Sequence, residues 1–248
     1  MSTEGYNQQF FQQVLEGSLT SAETIVPLLI DAIQPKSVVD IGCAEGAWLS
    51  VFERNGIGDV YGIDGDYVDR ARLRIDSTKF CPVDLEQGFS LKRKFDLAIC
   101  LEVAEHLRES AADRMVDSLA AHSDCILFSA SIPHQDGTNH LNEQWLEYWT
   151  RKFRLRNYEP YDYIRPLVWN NKLVRWWFAQ NAIVYVKKDN ATLIARFEKM
   201  ILKQSVDPLS VVHPELFKYK EDCLKALRNN NQSLRWLFRQ IARVILSR

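Results

Sequence analysis

Short, continuously apolar runs recur along the first 130 residues, and segments with helical spacing separate them. Continuous apolar runs of this length are typical of strands that are buried on both faces. The five runs are SVVDIGC, GDVYGID, KFCPVDL, FDLAICL and DCILFSAS. Because strands that alternate with helices form parallel βαβ units, the pattern predicts an α/β protein with a doubly wound, mostly parallel sheet.

The first predicted helix precedes these strands. Thr20 and Glu23 have capping-box spacing just before the apolar stretch AETIVPLLIDAI, so we expect a helix that begins there and ends near Pro35. Pro27 would kink this helix. The two helices predicted between the strands span Glu45–Arg54 and about Arg108–Ala121.

The character of the chain changes after Pro133. The segment PHQDGTNHLNEQWLEYW is polar and aromatic, and two strand-like pieces follow, near Tyr158–Arg165 and at AIVYVKK. These pieces bring the predicted Rossmann-like sheet to seven strands. The last 60 residues have a helical pattern with a break at NNNQ. We therefore predict a sheet domain over residues 1–188 and a helical C-terminal extension over residues 189–248.

Composition places the chain among globular proteins, with 46% hydrophobic and 25% charged residues. No apolar run approaches the roughly 20 residues that a membrane-spanning helix needs. The N-terminus MSTEGYNQQFFQQ lacks the basic and apolar regions of a signal peptide, so we expect a cytoplasmic protein. The five cysteines show no CxxC spacing, which indicates reduced thiols and argues against a zinc site built on them.

Charge is distributed unevenly along the chain. Residues 1–150 hold 11 Lys/Arg against 24 Asp/Glu, whereas residues 151–248 hold 20 against 8. The basic part could meet phosphate groups, nucleic acid or a membrane surface. It could equally dock on the acidic part, in the same subunit or in an oligomer. The final stretch SLRWLFRQIARVILSR is basic and amphipathic, as expected of a packed helix or of a peripheral membrane contact.

Chemistry-bearing residues collect at the predicted strand ends. The glycine-rich segment 40–46 joins the first strand to a helix, where the backbone can approach a ligand and free N–H groups are available. Asp64, Asp84 and Glu102 end the next three strands. Asp64 can accept hydrogen bonds from both ribose hydroxyls, and Asp84 is placed to accept one from an adenine amino group. All three carboxylates would line the crevice at the carboxyl ends of the strands.

Taken together, VVDIGCAEG, YGID, PVDL and FDLAICLEVAEHL resemble the motifs of class I S-adenosylmethionine-dependent methyltransferases over about residues 36–131. The resemblance implies a Rossmann-like methyltransferase sheet with S-adenosylmethionine as cofactor. It also implies a role for each matching residue: Asp40, Gly42 and Gly46 around the methionine end, Asp64 on the ribose, and Asp84 with Leu85 on the adenine.

One position departs from the family pattern. Ala44 stands where the family usually has a third glycine, and its methyl group would shift the turn slightly without excluding the cofactor. The same residue also argues against the competing interpretation, a dinucleotide dehydrogenase, because the GxGxxG fingerprint does not occur.

Methyl transfer to an alcohol needs a base or a metal that removes the hydroxyl proton. The candidates are His106, His134, His140 and Glu143, of which the last three lie just past the fifth strand. His106 could instead merely cap or pack the segment after the fourth strand. We expect the cluster near the fifth strand to be functional. By contrast, the helical spacing of four aromatic residues favours the core: Trp145, Tyr148, Trp149 and Phe153.

A metal-assisted version of the chemistry is also open. Glu102, Glu105, His106 and His140 could offer oxygen and nitrogen ligands to Mg²⁺, Mn²⁺ or Zn²⁺. Their ExxEH spacing resembles ubiquinone-pathway O-methyltransferases and small-RNA 2′-O-methyltransferases, where it is associated with metal binding. The related EVxEH pattern also occurs in methyltransferases without metal. In the metal-free version His140 or His134 is the general base.

Three later stretches extend the resemblance to about residue 188. NHLNEQWLEYW, YIRP with Trp169, and RWWFAQNAIVYV are similar to methyltransferase-domain proteins of bacterial surface-glycan and secondary-metabolite gene clusters. This similarity suggests O-methylation of a sugar or glycan precursor, a small molecule that could be phosphate-linked. Arg165 or Arg175 could then hold the phosphate, although structural ion pairs explain both arginines equally well.

Two alternatives stay open. The basic C-terminal third and the ExxEH spacing are compatible with RNA 2′-O-methylation, but the chain lacks a recognisable RNA-binding module, so we do not expect a nucleic-acid partner. A non-catalytic module that binds the cofactor or a protein partner is the other alternative. The carboxylate at every expected cofactor position argues against it.

Overall fold

The computed structural model describes residues 8–201 and 210–228, with side chains from residue 17 onward. The chain divides into two compact units, residues 1–211 and 212–248. The first unit contains the whole sheet and the helix that follows it, and the second has a helix over 214–228. The domain boundary that we expect near residue 188 stays a prediction. The NNNQ break and the basic final stretch lie outside the described residues.

A seven-stranded sheet organises the first unit. Its order is β3-β2-β1-β4-β5-β7-β6, and every pairing is parallel except the two made by β7. The strands are β1 Ser37–Ile41, β2 Asp59–Asp64, β3 Phe80–Pro82, β4 Leu97–Leu101, β5 Cys125–Ser129, β6 Tyr158–Tyr161 and β7 Ile183–Lys187. The predicted doubly wound, mostly parallel α/β sheet of seven strands is therefore confirmed.

Strand order explains where a site can form. The chain proceeds outward from β1 to β2 and β3, then returns to place β4 on the other side of β1. Loops that leave neighbouring strands in opposite directions open a crevice at the carboxyl ends of those strands. The segments after β1 and β4 begin at Gly42 and Glu102, so both predicted ligand-binding segments start at this crevice.

Helices cover both faces of the sheet and complete two cores. They are α1 Gln8–Ile33, α2 Ala47–Arg54, α3 Ala112–His122, α4 Leu146–Arg154, α5 Ile164–Val168, α6 Trp176–Asn181 and α7 Ala191–Met200. Because side chains alternate across a strand, Val38 packs in the core that includes Phe52 and Phe178. Val39 faces the opposite core, with Met115.

The start of the first helix was predicted wrongly. Helix α1 begins at Gln8, and Thr20 lies in its interior. The hydroxyls there serve the helix itself: Ser21 Oγ donates to the Gly17 carbonyl and Thr24 Oγ1 to the Thr20 carbonyl. A capping-box spacing does not mark a helix start when the polar residues before it are themselves helical, as residues 8–19 are here. The predicted end near Pro35 is confirmed, since α1 ends at Ile33.

Two other boundaries differ from the prediction. The strand expected over Tyr158–Arg165 ends at Tyr161, and residues Ile164–Val168 form α5 instead. The helix expected from Arg108 begins at Ala112, after a 3₁₀ turn at Glu109–Ala111. The strand thus ends earlier, and the helix begins later, than apolar periodicity indicates, because element ends are the part that such a pattern defines least well.

Part of the basic C-terminal third is neutralised within the first unit. Lys152 pairs with Asp113 at 2.7 Å, and Arg156 pairs with Asp117 at the same distance. Lys188 pairs with Glu159 at 2.8 Å. Docking on the acidic part of the same subunit, one of the explanations we gave for the charge asymmetry, thus accounts for Lys152 and Arg156, whereas the partner of Lys188 lies in the basic part itself.

The aromatic residues near α4 divide between core and surface. Trp149 and Phe153 are buried, as expected, and stack around Phe128. Tyr148 is partly buried against the same core, whereas Trp145 is 43% exposed, so its predicted core position is wrong.

Within residues 8–201 and 210–228, no helix combines the length and apolar character that crossing a membrane requires.

Candidate active site

A cavity of about 720 Å³ opens at the carboxyl ends of β1, β2, β3 and β4, and we call it the Asp64 cavity. Five of the seven residues predicted to bind the cofactor line it: Gly42, Asp64, Asp84, Leu85 and Glu102. Residues from four separate sequence motifs thus meet at one crevice, as the strand-end positions predicted.

The turn after β1 depends on glycine at Gly42. Its φ is +81°, and a Cβ there would come within 2.3 Å of Val103 Cγ2. Gly46 also has a positive φ, +78°, and begins α2. Ala44 takes φ +47° without a glycine, so its methyl group is accommodated in the turn. Gly46 lines neither cavity described in this section, and its contact with the cofactor stays a prediction.

Asp64 holds the turn and faces the cavity at the same time. Its Oδ2 accepts a hydrogen bond of 2.7 Å from the Ala44 amide, and its Oδ1 accepts one of 2.7 Å from the Gly65 amide. The Tyr67 hydroxyl donates to Oδ1 at 2.5 Å. The carboxylate is therefore fixed in orientation, and one of its partners is an exposed side chain that can leave.

Asp84 and Leu85 lie further along the Asp64 cavity. Asp84 is exposed and accepts a hydrogen bond of 3.0 Å from the Glu86 amide, which caps a 3₁₀ turn. Leu85 is buried beside it. A carboxylate at the rim next to an apolar side chain suits a heteroaromatic ring that has a polar edge.

A second cavity of about 410 Å³ adjoins the first, and we call it the Trp176 cavity. It shares three lining residues with the Asp64 cavity, Gly42, Glu102 and His106, so the two spaces meet there. Sequence reasoning missed its aromatic wall as a site, although the RWWFAQN stretch was noted. That wall consists of Trp48, Trp176, Trp177 and Phe178.

Asp40 lines the Trp176 cavity and is 3% exposed. Burial, and then the charge of nearby Asp64, raise the pKa of the Asp40 carboxyl well above its usual range. A buried carboxylate of this kind is stabilised by an approaching cation. The methionine end of the cofactor, which carries an ammonium and a sulfonium, would supply such charges.

Glu102 is the centre of a hydrogen-bonded network. Its Oε2 accepts from Gln135 Nε2 at 2.9 Å and from Ser131 Oγ at 3.3 Å, and its Oε1 accepts from Asn181 Nδ2 at 3.1 Å. Burial raises the pKa of Glu102, and the hydrogen bonds from Asn181 and Gln135 oppose that shift. Sequence reasoning did not single out Ser131, Gln135 or Asn181, although they lie in the quoted stretches DCILFSAS, PHQDGTNHLNEQWLEYW and RWWFAQNAIVYV.

Glu105 is fully buried below this network. Its Oε1 accepts a hydrogen bond of 2.8 Å from Ser131 Oγ, whereas its Oε2 has no hydrogen-bond partner among the described residues. Burial and the neighbouring charge of Glu102 raise the pKa of the Glu105 carboxyl well above its usual range. Since an unsatisfied buried acceptor is costly, this oxygen is suited to a ligand's donor group.

His106 and His140 meet edge to face, with ring centroids 4.9 Å apart. Partial burial and the charge of His140 lower the pKa of His106. Glu105, His106 and His140 each offer a ligand atom within 4.8 Å of the other two. Three of the four predicted metal ligands thus come together.

The fourth predicted ligand, Glu102, lies outside that group because its two oxygens face Ser131, Gln135 and Asn181. The remaining set of one carboxylate and two imidazoles has the donor chemistry of a divalent metal site. Metal binding by these residues stays a prediction.

Glu143 forms hydrogen bonds within the loop that carries the candidate bases His134 and His140. Its Oε1 lies 2.9 Å from His140 Nδ1 and accepts from the Asp136 amide at 3.0 Å. Its Oε2 accepts from the His134 amide at 2.7 Å. His134 is exposed and lines neither cavity. Of the two candidate bases on this loop, the structure therefore brings His140 to the site and leaves His134 at the surface.

The two candidate phosphate-binding arginines differ. Arg165 is buried and forms a bidentate ion pair with Asp162, with a further hydrogen bond to the Gln180 carbonyl. The structural explanation that we left open for Arg165 is thus correct. Arg175 is exposed, next to the Trp176 cavity, and its guanidinium lies 5.7 Å from the Trp177 ring centroid.

Comparison with protein families identifies one match. Residues 20–175, more than half of the chain, match the model of a family described as a methyltransferase domain. The match contains the glycine-rich turn, all three strand-end carboxylates and the loop with His140. Comparison with curated proteins finds no match to this sequence.

Solved structures share the fold. The sugar N-methyltransferase KedS8 from Streptoalloteichus sp ATCC 53650 superposes with a TM-score of 0.58 at 14% identity, over 76% of this chain and 96% of that one. DesVI from Streptomyces venezuelae gives 0.55 at 14% identity, with 73% and 96% covered. The magnesium protoporphyrin IX methyltransferase from Synechocystis PCC 6803, solved with bound SAH, gives 0.54 at 18% identity, with 75% and 90% covered.

Proposed function

This chain belongs to the methyltransferase-domain family, and we propose that it uses S-adenosylmethionine to methylate a hydroxyl group of a sugar or glycan precursor. The observation that carries the proposal is the pair of cavities that meet at Gly42, Glu102 and His106. One has the residues that suit a nucleoside, and the other has the aromatic and polar wall of a small polar acceptor. A donor and an acceptor bound in these spaces would touch at the shared residues.

S-adenosylmethionine fits the residues of the Asp64 cavity. Asp64 presents a fixed carboxylate to the ribose, and Asp84 with Leu85 forms a polar and apolar edge for the adenine. Gly42 keeps the turn free of a side chain where the methionine end would pass. When bound, the cofactor supplies a methyl group that its sulfonium has already activated.

The Trp176 cavity suits a sugar for two reasons. A sugar ring has apolar C–H faces that pack on aromatic rings, and Trp176 and Trp177 line one wall. Its hydroxyl edges need hydrogen-bond partners, and His140 and Asp136, which also line the cavity, can supply them. Arg175 beside Trp177 is the remaining candidate for a phosphate on the acceptor.

His140 is the general base of the proposal. Its Nδ1 is engaged by Glu143 at 2.9 Å, which leaves Nε2 for the acceptor hydroxyl. The hydroxyl oxygen would form a bond to the methyl carbon while the carbon–sulfur bond breaks. The hydroxyl proton would pass to His140 Nε2, and the second product would be S-adenosylhomocysteine. Positioning and exclusion of water by the aromatic wall account for the rest of the chemistry.

One observation favours a metal-assisted variant as the second candidate. Glu105, His106 and His140 would hold a divalent cation, which would lower the pKa of the acceptor hydroxyl. This variant includes RNA 2′-O-methylation. Against RNA as the acceptor, the described lining residues of the Trp176 cavity include no Lys or Arg, the side chains that neutralise a phosphate backbone.

The test is methyl transfer to a panel of acceptors by the full chain. Release of S-adenosylhomocysteine is measured with nucleotide sugars, free sugars and short RNA, each with chelator and with Mg²⁺, Mn²⁺ or Zn²⁺. The proposal predicts turnover with a sugar in the presence of chelator. Turnover only with RNA, or only with added metal, would replace it with the second candidate.

A further inference from the structure

The wall of the Trp176 cavity is acidic in composition. Five Asp or Glu residues line it, and neither Lys nor Arg is among the described lining residues. Of the five, Glu45 has a cation of its own, because Arg72 Nε lies 2.8 Å away. The aromatic faces of Trp176 and Trp177 add further negative potential. Carboxylates beside aromatic rings are the surroundings that organic cations prefer.

Glu105 is the acidic residue of this wall that has an unpartnered carboxylate oxygen. Its Oε2 is buried and has no hydrogen-bond partner among the described residues, although the residue lines the cavity. A buried acceptor left without a donor costs free energy, and a ligand that supplies a donor recovers it. The oxygen beside it is already held by Ser131 Oγ, so Oε2 is the atom left for a ligand.

The spacing of the potential ligand atoms is compatible with a bound ammonium group. The ligand atoms of Glu105, His106 and His140 lie within 4.8 Å of one another. Acceptors about 2.8 Å from an ammonium nitrogen lie about 4.6 Å apart in tetrahedral geometry. Ligands about 2.0–2.1 Å from zinc would lie only about 3.4 Å apart. Both spacings lie within the 4.8 Å limit, so the three side chains can hold an ammonium group as well as a metal ion.

We infer that the acceptor is an amino sugar whose protonated amine binds Glu105 Oε2 while a neighbouring hydroxyl faces His140. This inference rests on the proposed function and names its substrate class. A protonated nitrogen has no lone pair with which to attack the methyl group, so the amine is a recognition group and the hydroxyl oxygen takes the methyl. Glu105 is then the residue that determines specificity.

The test compares an amino sugar with its N-acetylated form, which lacks the positive charge and carries an added acetyl group. Glucosamine and N-acetylglucosamine are titrated by ligand-observed NMR into the full chain, saturated with S-adenosylhomocysteine and treated with chelator. The expected result is that glucosamine binds about tenfold tighter or more, as a charge-assisted hydrogen bond predicts. Glu105→Gln should abolish the difference. Glu109→Gln, which removes an exposed carboxylate in the adjacent 3₁₀ turn, should preserve it.

Four results would overturn the inference. These are equal binding of the two sugars, no binding of glucosamine, a preference for the amine that survives in Glu105→Gln, and stoichiometric Zn²⁺ binding that Glu105→Gln abolishes. Unchanged affinity of Glu105→Gln for S-adenosylhomocysteine shows that the variant is folded.

Methyl transfer to sugars, measured separately, distinguishes the two proposals. Transfer to neutral and amino sugars with equal efficiency would keep the proposed function and overturn the inference. Amine-selective binding without transfer to any sugar would keep the amine site and overturn the proposed function.

Discussion

The hydroxyl of Tyr67 donates a hydrogen bond of 2.5 Å to Oδ1 of Asp64, the carboxylate that we assign to the ribose. Tyr67 is 84% exposed, so this contact covers the carboxylate without anchoring the aromatic ring. The Ala44 and Gly65 amides donate hydrogen bonds to the same carboxylate. A ribose hydroxyl that approaches Asp64 must therefore compete with Tyr67, but not with the backbone that orients the carboxylate.

Tyr67→Phe is predicted to tighten cofactor binding. The substitution removes the competing hydroxyl and leaves the ring, so we expect the Kd for S-adenosylhomocysteine to fall about twofold to tenfold, the value of one net hydrogen bond. Calorimetry on both proteins measures the change. A weaker Kd in Tyr67→Phe would instead mean that the hydroxyl contacts the bound cofactor.

Gly137→Ala is predicted to reduce turnover by displacing His140. A Cβ at residue 137 would lie 2.0 Å from His140 Nε2, so the imidazole must move. We expect kcat to fall about a hundredfold, because small misplacements of reacting groups cost that much, while the Kd for S-adenosylhomocysteine stays the same. Gly58→Ala is the matched control, since a Cβ there meets nothing within 4 Å. Full activity of Gly137→Ala would remove His140 from the mechanism.

Glu143→Ala is predicted to release the loop that carries His140. Three non-glycine residues in this loop have positive φ, His134, Asp136 and Asn139, and Glu143 holds two of them by their amides. Without the carboxylate we expect faster hydrogen exchange at the amides of His134 and Asp136, and a lower kcat. Exchange at β5 should not change. Unaltered exchange in the loop would show that other contacts maintain its conformation.

Asp40→Asn is predicted to stabilise the cofactor-free protein at high pH. Burial raises the pKa of Asp40, so the folded state binds its proton more tightly than the unfolded state does. The contribution to stability is complete below the unfolded pKa of about 4 and is lost as the pH rises through the raised folded value. Asn cannot ionise and does not suffer this loss. Urea unfolding at pH 5 and pH 8 should show a larger advantage of the variant at pH 8. An equal difference at both values would contradict a buried ionisation.

Strand ends could be predicted because each combines an apolar run with one acidic residue. Asp64 and Asp84 follow strands in the printed sequence and line one cavity in the structure. Glu102 was placed correctly at the crevice, but its hydrogen bonds join Gln135 and Asn181, which are 33 and 79 residues away in sequence. Contacts over such separations depend on how β5 and β7 pair and leave no local pattern. The spacing of Thr20 and Glu23 is a local pattern, but it predicted a helix start wrongly. The helix already begins at Gln8, so both residues lie in its interior.

Titration of S-adenosylhomocysteine into the wild type, Asp64→Ala and the surface control Asp117→Ala tests the central claim most directly. The account predicts one binding site in the wild type and the control. In Asp64→Ala it predicts affinity weakened about a hundredfold or more, because two hydrogen bonds to a charged acceptor are lost. No binding by the wild type, or undiminished binding by Asp64→Ala, would contradict it.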